Sequence, residues 1–338
     1  MQTSVLSRLR QIYTHNRTLK NDIISWLLET EETFDVTIFP STRLEHIWAI
    51  HWLQRCDKKK RLGKIIAILI DAPGSRQSDG TYRFAKSTLP FRCSLRAVAR
   101  ANKNKNIIFA AESDGIARQF QKFSGYHFDY LPHVTQISSE IIWRNRIAHE
   151  SLLPLTFGTF GFTRYDKGLD VLHDAIKLLS GNDRNDFRFR LQWTGDYHLP
   201  CGRWIEKDPE LMQDPKITYL PAFSDSTQYH EQLKAIDAIV LPYRQGFYQE
   251  RMSRVAVDAS LVGLPVVYPR GTWLEEFFSS YGAGVAFNSE DPRSLAAAMV
   301  ILKENFHQLA DKSRSLIHKT RADFSASAFF EKIGKLIR

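Results

Sequence analysis

Residues 241–269 read LPYRQGFYQERMSRVAVDASLVGLPVVYP, a pattern that predicts a strand, a loop, a helix and a second strand. An apolar run ends at Pro242, and Gly263 ends the helical run that follows it. Glu250 and Asp258 stand eight residues apart across this unit. In a parallel sheet such a loop lies at the carboxyl end of a strand, where open α/β folds bind ligands. The two acids are therefore candidates for ligand binding, with two solvated carboxylates as the alternative.

The same alternation of apolar and helical runs extends over the whole chain. The predicted strands are 34–39, closed by Pro40, then 65–70, 106–111, 130–134, 155–160, 187–193, 217–220, 238–242, 266–268 and 284–287. The predicted helices are the first 30 residues, 44–53, 115–123, 169–179, 227–236, 253–261, 271–280, 291–305 and 313–337. Short buried strands that alternate with helices predict a parallel α/β fold.

The length of the chain predicts two domains. A chain of 338 residues exceeds what one compact core usually holds. The strand and helix pattern restarts after Pro154, and residues 141–153 are a predicted connector. We therefore expect two Rossmann-like domains that face each other across a cleft, at 1–150 and 151–320. A last helix, 321–338, is expected to cross back to the first domain.

The net charge of +9 lies entirely in the first half of the chain. Residues 1–150 hold 23 Lys and Arg against 14 Asp and Glu, whereas residues 151–338 hold 23 of each. Basic clusters occur at 58–61 and 92–105. This asymmetry indicates an anionic partner, such as a phosphate-bearing acceptor or a membrane surface, with a solvated basic face as the alternative. No motif that reads DNA or RNA is present, so no nucleic-acid partner is expected.

The remaining composition bears on the cellular compartment. No apolar run approaches the ~20 residues needed to cross a bilayer, and the N-terminus lacks the pattern of a secretory signal. Cys56, Cys93 and Cys201 are an odd number without CxxC spacing, so neither a disulfide framework nor a zinc site is expected. The sequence therefore predicts a cytoplasmic protein.

A second candidate site is the loop GFTRYDKG, residues 161–168, between a predicted strand and a helix. A small residue such as Gly161 lets backbone N–H groups approach an anion, and the start of the helix adds a favourable dipole. Arg164 and Lys167 place two cations on this loop, which suits them to neutralise a diphosphate. Solvated loop charges, with Gly168 as a turn residue, are the alternative interpretation.

These patterns together resemble one known family. The order GFTRYDKGLDVLHDAIKLL, WTGD, LKAIDAIVLPY, an acid-x7-acid pair and GLPVVYP is similar to the C-terminal half of retaining GT-B glycosyltransferases, and more narrowly to family 4. The resemblance covers residues 155–300, whereas residues 33–134 match only in the general alternation of strands and helices. It implies a GT-B fold and transfer of a sugar from a nucleotide-sugar donor.

The resemblance also implies roles for individual residues. Arg164 and Lys167 are expected to bind the donor diphosphate, Glu250 to contact the hydroxyls of the donor sugar, and Asp258 to hold the ribose hydroxyls. Arg164, Lys167 and Glu250 are accordingly the expected catalytic residues, because cations beside the leaving diphosphate stabilise its developing charge. No metal or other cofactor is expected, since these side chains and a helix N-terminus can carry that charge.

The chain departs from the family pattern at several positions. The family often has glycines after the first acid, whereas this chain has Arg251-Met252-Ser253; Ser253 and Arg254 are expected to contribute side-chain contacts to the donor instead. The second acid is usually Glu rather than Asp.

The N-terminal domain departs further. It opens with a helix instead of a strand and a glycine-rich loop, so a shortened or incomplete domain is expected. Asp71 stands where the family often has a histidine; it is a candidate acceptor-side residue, with a turn aspartate as the favoured alternative. His133 is interpreted as a packing residue in preference to a catalytic one.

The leading hypothesis is a retaining glycosyltransferase that moves a hexose-type sugar from a UDP- or GDP-sugar to a glycan or lipid-linked anionic acceptor. Such a reaction belongs to surface polysaccharide or glycolipid synthesis, with peripheral contact at the inner membrane surface. Two alternatives share the fold: a catalytically weak partner subunit that binds nucleotide sugars, and a nucleotide-sugar epimerase.

Overall fold

The computed structural model of the chain describes residues 5–30, 32–56, 61–77, 79–134, 154–179 and 185–338. These residues form two units. The described residues up to His133, together with Phe329–Arg338, make the N-terminal unit, and those from Val134 to Ala328 make the C-terminal unit. The predicted connector 141–153 and the lysines of the 58–61 cluster lie outside the described residues.

The N-terminal unit contains a four-stranded parallel sheet in the order β1-β2-β5-β6. Its elements are α1 (Val5–Glu29), β1 (Val36–Thr42), α2 (Leu44–Cys56), β2 (Lys64–Leu69), the short hairpin β3 (Ser75–Arg76) and β4 (Tyr82–Arg83), α3 (Leu89–Ala101), β5 (Ile107–Ala111), α4 (Asp114–Ser124) and β6 (Asp129–Tyr130). After Lys64, strand β2 is apolar because both of its faces are covered: Ile65 and Leu69 pack into one core cluster, and Ile66 and Ile68 into another.

The C-terminal unit contains a six-stranded parallel sheet in the order β11-β8-β7-β12-β13-β14. Its elements begin with β7 (Leu155–Thr159), α5 (Leu169–Leu178), β8 (Phe187–Gln192), the hairpin β9 (Tyr197–His198) and β10 (Trp204–Ile205), α6 (Pro209–Gln213), β11 (Ile217–Leu220), α7 (Ser226–Lys234) and β12 (Ala238–Val240). They continue with α8 (Gln245–Tyr248), α9 (Arg254–Val262), β13 (Val266–Pro269), α10 (Trp273–Tyr281), β14 (Gly284–Phe287), α11 (Pro292–Glu304), α12 (Phe306–Ser315), α13 (Ile317–Phe324) and α14 (Ala326–Ile337), whose last residues belong to the N-terminal unit.

The predicted parallel α/β architecture is confirmed, and three details of the prediction are wrong. Strand β1 does not stop at Pro40 but continues to Thr42, with a register shift after Phe39. An edge strand tolerates this proline because one of its sides makes no ladder hydrogen bonds. Strand β6 is shorter than predicted, and the predicted helix 313–337 is divided at Leu316 and Ser325 between three helices.

Candidate functional site

The C-terminal sheet reverses its strand order between two neighbouring strands, β7 and β12. From β7 the chain builds β8 and then β11 on one side, and it returns to place β12, β13 and β14 on the other. At such a reversal the loops leaving the two central strands diverge, and ligands bind in the crevice between them. The loop after β7 carries the predicted residues Arg164 and Lys167, and the loop after β12 carries Glu250.

The loop after β7 is held in place at both ends, by a close backbone contact at Gly168 and by a hydrogen bond at Gly161. Gly168 has a φ of 65°, and a Cβ atom at this position would lie 2.0 Å from the carbonyl oxygen of Pro242. Only glycine fits there without a shift of the backbone. Gly161 donates its N–H to Oε1 of Gln192 at 2.6 Å, which ties the start of the loop to the end of β8.

Arg164 is anchored by a carboxylate on its own loop. Its Nε and Nη2 atoms donate to Oδ1 and Oδ2 of Asp166 at 3.0 and 2.8 Å, and half of its side chain is exposed. The Tyr248 hydroxyl, from the loop after β12, also donates to Asp166 at 3.2 Å. Asp166 thus joins the two loops and orients the guanidinium, whose remaining N–H groups can still meet an anion.

Lys167 lies in an aromatic pocket. Its Nζ is 3.8 Å from the centroid of the Tyr243 ring and 5.0 Å from that of Tyr248. Burial lowers the pKa of Lys167 to about 7, and the nearby Asp166 carboxylate only partly opposes this effect. The two ring faces favour an ammonium, but they offer no anion to fix its proton.

The loop after β12 ends at the start of helix α9. Glu250 is buried there, with 3% of its surface exposed. Ser253 is the N-cap of the helix: its Oγ accepts a hydrogen bond from the N–H of Ala256 at 3.3 Å. Arg254, the first residue of α9, is exposed. The buried acid Glu250 therefore lies four residues before the exposed cation Arg254, at the start of α9.

Asp258 lies one turn further along α9 and is also buried. Burial raises its pKa to about 7; the charge of Arg254 and a hydrogen bond from Tyr229 act in the opposite direction. The Tyr229 hydroxyl donates to Oδ2 of Asp258 at 3.0 Å. A carboxylate held in this way has lone pairs left for ligand hydroxyls.

Arg244, a residue that was not predicted from the sequence, connects much of this region. Its guanidinium makes a bidentate pair with Asp170, with Nη1–Oδ1 at 3.1 Å and Nη2–Oδ2 at 2.6 Å, and its Nε donates to Oε1 of Glu290 at 2.9 Å. Nη1 also donates to the carbonyl oxygen of Tyr165. The backbone N–H of Arg244 donates to the carbonyl oxygen of Asp166 at 3.1 Å. Arg244 therefore fixes the turn that carries Lys167. A lone arginine in a polar loop gives no sequence signal for a partner 74 residues away.

Asp71 belongs to the N-terminal unit and is not among the residues that the two loops bring together. It follows β2 and forms an ion pair with Nε of Arg43 at 3.2 Å, and both side chains are about half exposed.

Within the described ranges, no cluster of three or more His, Cys, Asp or Glu has the geometry of a metal site, and no helix is both long and apolar enough to span a bilayer.

Comparison with known proteins gives one family match, and it falls within the C-terminal unit. Residues 154–305 match the sequence model of the family described as Glycosyl transferases group 1. No curated protein matches the chain by sequence.

Several solved structures share its fold. Sucrose-phosphate synthase from Thermosynechococcus elongatus has a TM-score of 0.64 and 13% identity, over 99% of this chain and 81% of that one. HepE from Anabaena, in complex with UDP-glucose, has a TM-score of 0.61 and 14% identity, over 94% and 80%. TarM from S. aureus, in a complex that contains UDP, has a TM-score of 0.58 and 13% identity, over 87% and 54%.

These matches confirm the resemblance predicted from the sequence: the C-terminal half carries the glycosyl transferases group 1 pattern, and the chain has the α/β fold of GT-B glycosyltransferases.

Proposed function

We propose that this protein is a retaining glycosyltransferase that moves a hexose-type sugar from a nucleotide-sugar donor to a glycan or lipid-linked acceptor. The observation that carries the proposal is the meeting of two loops at the strand-order reversal of the C-terminal sheet. One loop brings Arg164 and Lys167, the other brings the buried Glu250, and Asp166 joins them. The match of residues 154–305 to a glycosyltransferase family supports the same reaction class.

In the proposed donor site, cations bind the diphosphate of the donor and carboxylates bind its sugar and ribose hydroxyls. Arg164 and Lys167 bind the diphosphate and stabilise the charge that develops on it as the bond to the sugar breaks. Glu250 accepts hydrogen bonds from the sugar hydroxyls, and Asp258 from the ribose hydroxyls. Gly161, Ser253 and Arg254 line the same proposed donor site. The aromatic surroundings of Lys167 suit this task, because its proton is held most firmly when a diphosphate is present.

UDP is the nucleotide we favour for the donor, and a GDP-sugar is the alternative. Structures of the same fold have been solved with UDP or UDP-glucose bound. The acceptor is proposed to be anionic, because the whole excess positive charge lies in residues 1–150. A lipid-linked diphosphate sugar at the inner membrane surface fits that charge, and Asp71 is a candidate contact to its sugar.

The test is an activity assay of matched variants with UDP- and GDP-hexoses. Lys167→Ala and Glu250→Ala are each expected to lower donor hydrolysis or sugar transfer by about 10²–10³, the usual loss when one preorganised charge contact is removed. Lys234→Ala is the control, because this exposed lysine pairs with Glu231 on the surface of the same unit. Near-normal activity in both site variants would overturn the proposal.

Two further readouts separate the alternatives. NMR of the product made from an α-linked donor is expected to show an α-linkage, as retention requires. Calorimetry that shows nucleotide-sugar binding, without turnover on any acceptor, would instead identify a partner subunit, and conversion of the donor sugar without an acceptor would identify an epimerase.

A further inference from the structure

In the N-terminal unit, the four parallel strands end in one row. Thr42 of β1 is in register with Leu69 of β2, Leu69 with Ala111 of β5, and Ala111 with Tyr130 of β6. The residues that follow these strands therefore leave the sheet along one edge. This is the carboxyl edge, where open α/β sheets bind ligands.

One ion pair and one histidine–carboxylate contact stand along this edge. Arg43 and Asp71, which follow β1 and β2, are 3.2 Å apart and about half exposed. Glu112 and His133, which follow β5 and β6, are 3.3 Å apart between Oε2 and Nε2. The second pair combines a buried carboxylate, 7% exposed, with an imidazole whose side chain is 29% exposed. Carboxylates are seldom buried to this degree without a partner of opposite charge or a task at a site.

The backbone at Glu112 and Ser113 is held by hydrogen bonds. Its N–H donates to the carbonyl oxygen of Leu69 at 3.3 Å, and the next residue, Ser113, caps helix α4 by accepting a hydrogen bond from the N–H of Ile116 at 3.1 Å. A fixed carboxylate bonded to one ring nitrogen selects the tautomer of a histidine. Because Glu112 contacts Nε2, a ligand hydroxyl would bond the other ring nitrogen, Nδ1, and a hydroxyl can donate a hydrogen bond or accept one.

We propose that His133, oriented by Glu112, binds a hydroxyl group of the acceptor sugar, an inference that rests on the proposed glycosyl transfer. His133 is the substrate-binding residue and Glu112 its positioning residue. The ligand is a sugar hydroxyl rather than a phosphate, because a phosphate bound at His133 would lie beside the buried carboxylate of Glu112. The edge therefore recognises the sugar of the acceptor, and any anionic part of the acceptor binds elsewhere.

The chain contains a matched control for this pair. His127 and Asp129 also form a histidine–carboxylate contact, at 3.1 Å, in the same unit. They stand at the start of β6 instead of after its end, and 73% of the His127 side chain is exposed. Because His127 lies away from the carboxyl edge, we expect it to bind no sugar although it also contacts a carboxylate.

The direct test follows the imidazole NMR signals of the full chain during titration with p-nitrophenyl glycosides of glucose, galactose, mannose and N-acetylglucosamine. At least one sugar is expected to shift the His133 signals saturably while those of His127 stay unchanged. Glu112→Gln is expected to change the His133 ring nitrogen shifts before any sugar is added and to weaken sugar binding several-fold. No saturable shift at His133 with any of the four sugars would overturn the inference.

Kinetics with UDP- and GDP-hexose donors and the sugar that responds give the second test. His133→Ala is expected to raise the acceptor KM by at least about tenfold, the usual effect of losing one well-placed hydrogen bond in a site, with the donor KM within twofold. His127→Ala is expected to change neither constant. An unchanged acceptor KM in His133→Ala, or an equal rise in both KM values, contradicts the inference. A sugar that shifts His133 but is never glycosylated would leave this site standing and refute the proposed function.

Discussion

At the scale of single residues, Lys167 is expected to control how the proposed donor binding responds to pH. Its pKa is lowered from 10.5 to about 7, so the ammonium of the free protein is lost as pH rises through neutrality. The diphosphate of UDP-glucose keeps a constant charge over this range, so the affinity for UDP-glucose is expected to fall from pH 6 to pH 9. Calorimetry across this range measures the slope.

The matched variant is Lys167→Met, which keeps most of the apolar volume and removes the titrating group. We expect it to bind UDP-glucose weakly at every pH and to lose the part of the slope due to the lysine. A slope in Lys167→Met equal to that of the wild type would show that another group, such as Asp258, controls it.

Asp258 makes the stability of the folded protein depend on pH. Its folded pKa is raised from 3.8 to about 7, so between these values the folded state binds more protons than the unfolded state. Stability therefore falls as pH rises from 4 to 7 and is unaffected by this group above 7. Asp258→Asn should remove a slope worth on the order of 3 kcal/mol over that range. Urea unfolding at pH 5 and pH 8 measures it; an unchanged difference between the two pH values would contradict the burial argument.

At the scale of elements, Arg244 is expected to stabilise the loop after β7. Arg244→Met leaves the buried Asp170 carboxylate without its bidentate partner, a loss that typically costs about 3–5 kcal/mol. Glu290→Gln should cost at most about 1 kcal/mol, because Glu290 is exposed. Urea unfolding compares the two variants. Adding Asp170→Asn to Arg244→Met should recover part of the loss, and no recovery would assign the loss to packing.

The glycine that ends this loop makes a separate prediction. Gly168→Ala places a Cβ against the Pro242 carbonyl in a left-handed backbone, and it should weaken UDP-glucose binding together with stability. Gly195→Ala is the control, because nothing lies within 4 Å of its added Cβ. Equal UDP-glucose affinity and unfolding midpoint in the two variants would show that the loop can shift without loss.

The elements also show which features the sequence can predict. The buried strands and amphipathic helices follow from periodicity, so the α/β architecture and the loop between β7 and α5 were predictable. The pairing of Arg244 with Asp170 was not, because neither residue carries a local signal for a contact across 74 positions. The predicted end of β1 at Pro40 was wrong, because an edge strand tolerates a proline and the place of β1 at the edge depends on tertiary structure. The Glu112–His133 pair likewise depends on the order of strands.

At the scale of the whole molecule, the end of the chain completes the N-terminal unit. Residues 329–338 belong to that unit although the chain reaches them only after the C-terminal unit. Ile333 of α14 is buried with Ile66, Ile68 and Leu131 on one face of the N-terminal sheet. Lys64 adds a hydrogen bond from its Nζ to the carbonyl oxygen of Ile337 at 2.6 Å. We therefore expect the stability of the N-terminal unit to depend on residues 329–338.

This dependence can be measured with two neighbouring substitutions in α14. Ile333→Ala should destabilise the N-terminal unit by about 2–5 kcal/mol, because it opens a cavity against β2. Phe330→Ala should change stability by no more than about 0.5 kcal/mol, since Phe330 is 64% exposed. Hydrogen exchange resolves the two units: Ile333→Ala should raise exchange in β2 and β5, while UDP-glucose binding, proposed for the C-terminal unit, stays within twofold. Protection of β2 and β5 that matches that of Phe330→Ala would show that the sheet is stable without the packing of α14.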